Sequence, residues 1–276
     1  MSLFRFALAA DKRATLKREL GENSEAYFAA METAEKAFLR SISNNSNQLK
    51  MEWLQQRIHL SCRTDERDLC RLAAYDIKQV QKVSAKFDGT ARQVIEVTTD
   101  TLAAAINDIA AQPWLGFDTE TAASFDKGRR NTNPIALIQI ATMSHCYLFR
   151  MVEGNIIPFK QALESVLSSR SQAVKIGIGL RSDVAAMKRD FGIVLAPMLD
   201  LNWLMNQLGA PKQMGTVQIA AAVLGLKMPK SKRVTLSNWA LPLTQPLSTE
   251  QREYAVADAF VALDCCYGLF EQILIY

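Results

Sequence analysis

From residue 94 to residue 192, short apolar runs take turns with amphipathic stretches, and this alternation restricts the fold of the 276-residue chain more than any other feature. The runs "VIEV" (94–97), "WLGFDTE" (114–120), "IALIQIAT" (135–142), "CYLFRM" (146–151) and "AVKIGIG" (173–179) have the length and apolar content of strands. Helical periodicity lies between and after them. The helix "TLAAAINDIAAQ" has Thr99 or Asp100 to cap it, "PFKQALESVLSS" begins at Pro158, and "SDVAAMKRDFG" ends well at Gly192. Further helices are expected at 200–208 and 216–224. A long final helix starts near Ser248, where Ser248 and Gln251 form a capping pair. Strands interleaved with helices in this way predict an α/β domain with a covered mixed sheet over residues 91–276.

Residues 1–90 follow a different grammar. The segment "SEAYFAAMETAEKAFLRSI" places Tyr27, Phe28, Met31, Ala34, Phe38 and Leu39 at helical spacing behind Ser24. A polar break at Ser43–Gln48 precedes a second helical stretch from about Met51 to Val83. The turn chemistry of Asp88-Gly89 marks the boundary. A helical N-terminal extension is therefore expected, and residues 1–87 are a surface on which a protein partner could dock.

Charge says little about partners. Residues 1–90 hold 15 basic and 12 acidic side chains, and residues 91–276 hold 17 and 16. Neither half has the strongly basic balance that announces nucleic acid by itself. No apolar stretch approaches the ~20 residues needed to cross a bilayer, so no membrane partner is expected. Five cysteines without C-x-x-C spacing read as free thiols in a reducing compartment, which points to the cytoplasm or nucleus. The opening "MSLFRFALAADKR" leaves organellar import open. The two histidines, His59 and His145, have no partner at ligand spacing. Any metal must then be held by oxygen, which suits magnesium or manganese rather than zinc.

The acids raise a sharper question. Asp118 and Glu120 stand one residue apart at the carboxyl end of an expected strand, so period-two geometry points both to one face. Open α/β sheets tend to place ligands at such ends. Asp183 opens the helix after "VKIGIG"; taken alone, it is an ordinary acid favoured by a helix dipole. Tyr254 and Asp258 are four apart and share a face of the final helix, which by itself could be merely amphipathic. If the four carboxylates converge, they repel one another unless cations lie between them. Two divalent ions resolve the conflict, and such a pair suits phosphoryl hydrolysis.

"FDTE", "SDVAAMKRDFG" and "YAVADA" resemble the three motifs of the DEDD superfamily of 3′–5′ exonucleases, in the subclass with tyrosine before the last aspartate. "KSKRVTLSNWALPLTQPLSTEQREYA" is similar to the corresponding stretch of ribonuclease D-like and Werner-type enzymes. The resemblance runs from about 92 to 276. It implies a ribonuclease H-like fold and hydrolysis of RNA or DNA from single-stranded 3′ ends to nucleoside 5′-monophosphates. It also implies two Mg²⁺ or Mn²⁺ ions. In that pattern Asp118, Glu120 and Asp258 hold the first metal, Asp118 bridges to the second, Asp183 helps position the second, and Tyr254 orients the attacking water. The insertion "TAASFDKGRRNTN" departs from the family pattern and bears on substrate choice.

Phosphate contacts are expected from Lys127, Arg129 and Arg130 after the first motif, and from Lys230, Lys232 and Arg233 in "PKSKRV". Phe125 could stack on a terminal base, Trp239 reads as a packing residue, and Asp200 as a capping or supporting acid. Gln139 could buttress Glu120 or satisfy a backbone group. The alternative to catalysis is an exonuclease-fold adaptor that binds nucleic acid and recruits partners through its N-terminal helices. Such scaffolds usually lose an acid, and all four are present.

Overall fold

The computed structural model of the chain describes residues 18–21, 24–26, 29–30, 86–87, 92–122, 133–207, 213–228 and 231–274. Nearly all of the N-terminal helical expectation lies outside them. In chain order the strands are β1 (Gln93–Glu96), β2 (Trp114–Thr121), β3 (Ile135–Ala141), β4 (His145–Arg150), β5 (Val174–Gly177) and β6 (Met198–Asp200). They make one sheet in the order β1-β4-β3-β2-β5-β6. β3 runs antiparallel to both β2 and β4, while the other pairings are parallel, so the sheet is mixed, as expected. The short β6 was not anticipated: three residues are too few for a periodic signal.

Helices cover both faces. They are α1 (Leu102–Ala110), α2 (Ile156–Leu167), α3 (Arg181–Phe191), α4 (Leu201–Gln207), α5 (Thr216–Leu224), α6 (Lys232–Thr235) and α7 (Thr249–Leu274). On one face Leu115, Phe117, Ile138 and Ile140 pack against Ile109, Phe159, Leu163 and Met187 from α1, α2 and α3. On the other, α7 lies over β2 and β3, with Ala255, Ala259 and Phe260 against Leu137, Ala141 and Leu148. β3 is therefore buried on both sides along its whole length.

Local chemistry explains the ends. Gly192 closes α3 at φ 71°, in the left-handed region that glycine enters without a side-chain penalty. Ser248 and Gln251 form the expected reciprocal cap: the Ser248 N–H donates to Gln251 Oε1 at 3.0 Å and the Gln251 N–H to Ser248 Oγ at 3.2 Å. The start of α1 differs from expectation. Thr101, not Thr99 or Asp100, is its N-cap, and the Thr98 N–H donates to Thr101 Oγ1 at 2.9 Å. The helix α2 begins two residues before Pro158, which sits within its first turn, where the missing N–H is tolerated.

One close approach sets the geometry of the site. A Cβ on Gly116 would lie 2.1 Å from the carbonyl oxygen of Ala259, so α7 rests directly on the β2 backbone. That contact holds Asp258, the residue before Ala259, beside Asp118, two residues after Gly116.

Candidate metal centre and active site

β2 outruns its neighbour. It pairs with β5 only from Trp114 to Gly116, whereas its pairing with β3 continues to Thr121. Beyond Gly116 the strand therefore keeps a ladder partner on one side only. Asp118, Thr119 and Glu120 lie in this overhang and are half-buried, while the residues before them are fully buried.

One carboxylate oxygen each from Asp118, Glu120 and Asp258 lie within 4.8 Å of one another. Asp258 is buried and the other two are half-buried. Carboxylates this close repel unless a cation offsets their charge. The donor set is all oxygen, and its spacing lets the three acids share one hard ion such as magnesium or manganese. Among the described residues histidine contributes nothing here: His145 lies on β4 with its Nδ1 2.9 Å from Ser144 Oγ and 3.4 Å from Asp108.

Asp183 reaches β2 from α3 and lies outside that group. Thr119 alternates with Asp118 and Glu120 and so faces the α1–α3 side, where its hydroxyl donates to Asp183 Oδ1 at 2.5 Å. Burial pushes the Asp183 pKa up. Hydrogen bonds from Thr119, its own backbone and Ser182 oppose that rise, and the nearby Asp200 charge adds to it. Asp200 accepts from the N–H groups of Gly179, Leu180 and Asn202, each at 2.9 Å, so it caps the entry to α3.

Tyr254 lies one turn before Asp258 and is buried, its ring 6.0 Å from that of Trp239. Burial, then the Asp258 charge, push its pKa up. A hydrogen bond with Thr235 opposes them, while Glu120 and Asp118 add smaller upward contributions. The phenol thus stays protonated at neutral pH, with a proton to donate.

The segment over Tyr254 is tied down on both sides. Gln251 Nε2 donates to Ser237 Oγ at 2.9 Å and to the Asn238 carbonyl at 3.0 Å. The buried Arg150 donates to the carbonyls of Leu241 and Pro242 at 2.7 and 2.9 Å. Trp239 is fully buried and packs, as its surroundings in the sequence suggest. Thr119, Thr235, Arg150 and Gly116 were not singled out from sequence. Thr119 could have been, since it stands between two acids; Arg150 offers no local signal, because its partners are about ninety residues away.

Of the basic residues, Lys127, Arg129, Arg130 and Lys230 lie outside the described residues, as does Phe125. Lys232 begins α6. Arg233 is exposed and faces Glu250 Oε1 at 3.5 Å. Gln139 stands across the ladder from Asp118, whereas Leu137 stands across from Glu120.

A mixed sheet with carboxylates at the overhanging end of a central strand defines an α/β domain with an acidic centre suited to hard cations. The sequence profile described as "3'-5' exonuclease" matches residues 94–273, more than half of the chain, and the chain belongs to that family. A "3'-5' exonuclease" from Arabidopsis thaliana is 30% identical over 183 residues, covering 66% of this chain and 59% of the relative. The mouse "Bifunctional 3'-5' exonuclease/ATP-dependent helicase WRN" is 30% identical over 151 residues, 54% of this chain and 10% of that protein. This chain thus spans less than two thirds of either relative. The structure of Trypanosoma brucei RNase D in complex with RNA U12 shares the fold, with a TM-score of 0.56 at 21% identity over 72% of this chain and 65% of that one. Among the described residues no helix is long and apolar enough to cross a membrane.

Proposed function

We propose that the chain is a metal-dependent 3′–5′ exonuclease that removes nucleotides from single-stranded 3′ ends of RNA or DNA. The observation that carries this reading is the grouping of Asp118, Glu120 and Asp258 oxygens within 4.8 Å. These acids, with Asp183, are the residues to hold two magnesium or manganese ions. When bound, such ions supply Lewis-acid stabilisation of the charge that develops on the phosphodiester.

The protein's own part is positioning and proton control. Tyr254, kept neutral by burial, donates a hydrogen bond that holds the attacking water in line with phosphorus. The oxygen–phosphorus bond to that water forms as the bond from phosphorus to the preceding 3′ oxygen breaks. The water gives up one proton, the leaving 3′ oxygen gains one, and a nucleoside 5′-monophosphate leaves. A terminal nucleotide must be unpaired to reach half-buried acids, which accounts for the preference for single strands. Lys127, Arg129, Arg130, Lys230, Lys232 and Arg233 are the residues to contact phosphates upstream. Residues 1–90 are the part of the chain to take a protein partner, and its Leu20 and Phe87 pack against the catalytic domain.

The test is digestion of 3′-labelled RNA and DNA, single-stranded and duplex, with manganese. Wild type should shorten single strands stepwise, and Asp118→Ala should lose at least a hundredfold in rate. Labelled strands left intact by wild type, or shortened equally by Asp118→Ala, would end the proposal. Tyr254→Phe should slow hydrolysis while calorimetry finds manganese binding retained.

A further inference from the structure

Gln139 is a fully buried amide in the middle of β3. Neither its Nε2 nor its Oε1 has a hydrogen-bond partner among the described residues. Leaving a buried amide in that state costs roughly 1–3 kcal/mol per group, so its presence asks for a reason. Its neighbours narrow the answer. Along β3, Leu137 and Ala141 flank it on the same face, and both belong to the apolar layer under α7. Across the ladder on β4 stands Leu148, also apolar. Across the ladder on β2 stands Asp118. Directly opposed residues of an antiparallel pair share a face, with Cβ atoms roughly 4.5–5.5 Å apart. Three of the four surrounding positions thus offer the amide nothing, and the fourth is a carboxylate at the centre of the acidic group.

We propose that Gln139 is a positioning residue for Asp118, which rests on the catalytic reading of the site given above. A carboxylate has about four acceptor positions, and a divalent ion leaves some of them for protein donors. With an ion bound, the otherwise unpartnered Gln139 Nε2–H is the donor across the ladder that fixes the side-chain rotamer in which Asp118 presents its remaining oxygen. A methionine or leucine at position 139 would pack in the same apolar layer without an amide to satisfy. The glutamine therefore serves the acid rather than the core. Groups that orient ligands in this way typically change metal affinity by about 10–100-fold when removed.

The experiment is manganese titration by calorimetry on the full chain, wild type beside Gln139→Met, with a thermal melt of each in metal-free buffer. Methionine keeps the length and volume and removes the amide. The expected result is at least a tenfold weaker affinity for manganese, with a metal-free midpoint equal to or above that of wild type. A variant that binds manganese within twofold of wild type overturns the inference and leaves the catalytic reading standing. Wild type that takes up no manganese sinks the catalytic reading itself. If Gln139→Met does not fold, the wild-type side-chain amide is followed by ¹⁵N–¹H correlation while magnesium is added. The Gln139 pair should move on saturation, and an unmoved pair overturns the inference.

Discussion

Two helices deliver acids to β2 from opposite sides, and they are held in different ways. α7 brings Asp258 by direct backbone contact, where the Ala259 carbonyl meets the sheet at Gly116, and Ala255, Ala259 and Phe260 are fully buried beneath it. α3 brings Asp183 to a hydroxyl of β2, that of Thr119. The start of α3 hangs on Asp200, and its last turn is tied to β3 by Asp190, whose Oδ2 accepts from the Ile135 N–H at 2.9 Å. The contrast teaches that Asp258 is fixed by a backbone contact at Gly116. Asp183, on a helix whose Met187, Phe191 and N-cap Leu180 are also in the core, meets β2 through a side-chain contact that another donor could replace. Three acids converge, and the fourth stays tethered beside them.

The largest expected effect attacks the packed side. Gly116→Val forces a side chain into the Ala259 carbonyl and should lower stability by about 3 kcal/mol in denaturant melts, with manganese binding lost. A melt within experimental error of wild type would show that α7 is free to shift, and the contrast would collapse.

The α1–α3 side holds a buried lysine. Lys175 on β5 is fully buried, its Nζ donating to the Ala196 carbonyl at 2.5 Å and the Val166 carbonyl at 3.4 Å. Burial lowers its pKa from 10.5 to about 7. Between those values the unfolded chain holds a proton that the folded chain has released, so stability should rise with pH across that window. At ~1.36 kcal/mol per unit, the gain between pH 7 and 9 is at most ~2.7 kcal/mol. Lys175→Met should flatten the slope of melting temperature against pH, and a variant with the wild-type slope would remove Lys175 as its source.

Thr119→Val removes the tether of Asp183 while keeping the shape of the side chain. It should cost about 1–2 kcal/mol, less than Gly116→Val, and lower nuclease rate with the folded structure retained. A loss equal to that of Gly116→Val would mean that both helices are held alike. Smallest of all, Arg233→Ala removes an exposed pair with Glu250 and should leave the melting temperature within error of wild type. If Arg233 contacts phosphate as proposed, the variant should also bind strands more weakly at low salt, with a flatter salt dependence.

Much of this was readable in one dimension. Five of the six strands fall within a residue or two of the apolar runs that mark them, and in β3, β4 and β5 burial on both faces demands continuous apolar sequence. The Ser248–Gln251 cap and the Gly192 stop were legible because caps are local chemistry between residues a few positions apart. β6 was not, since its three residues owe their pairing to β5 rather than to any pattern of their own. The start of α1 also defeated the reading. Thr99, Asp100 and Thr101 are all ordinary cap residues, and only the turn geometry selects Thr101.

The order of the motifs, the alternation of strands and helices, and the shared face of Asp118 and Glu120 belonged to the sequence, because they follow from backbone periods of 2 and 3.6 residues. Tertiary structure alone decided that Asp258 closes on those two acids while Asp183 stays with Thr119. It also decided that Gln139 stands opposite Asp118 and that Arg150 holds a loop far along the chain. These depend on strand register and on how closely a helix can approach a sheet, and both are set by long-range packing that no local pattern records.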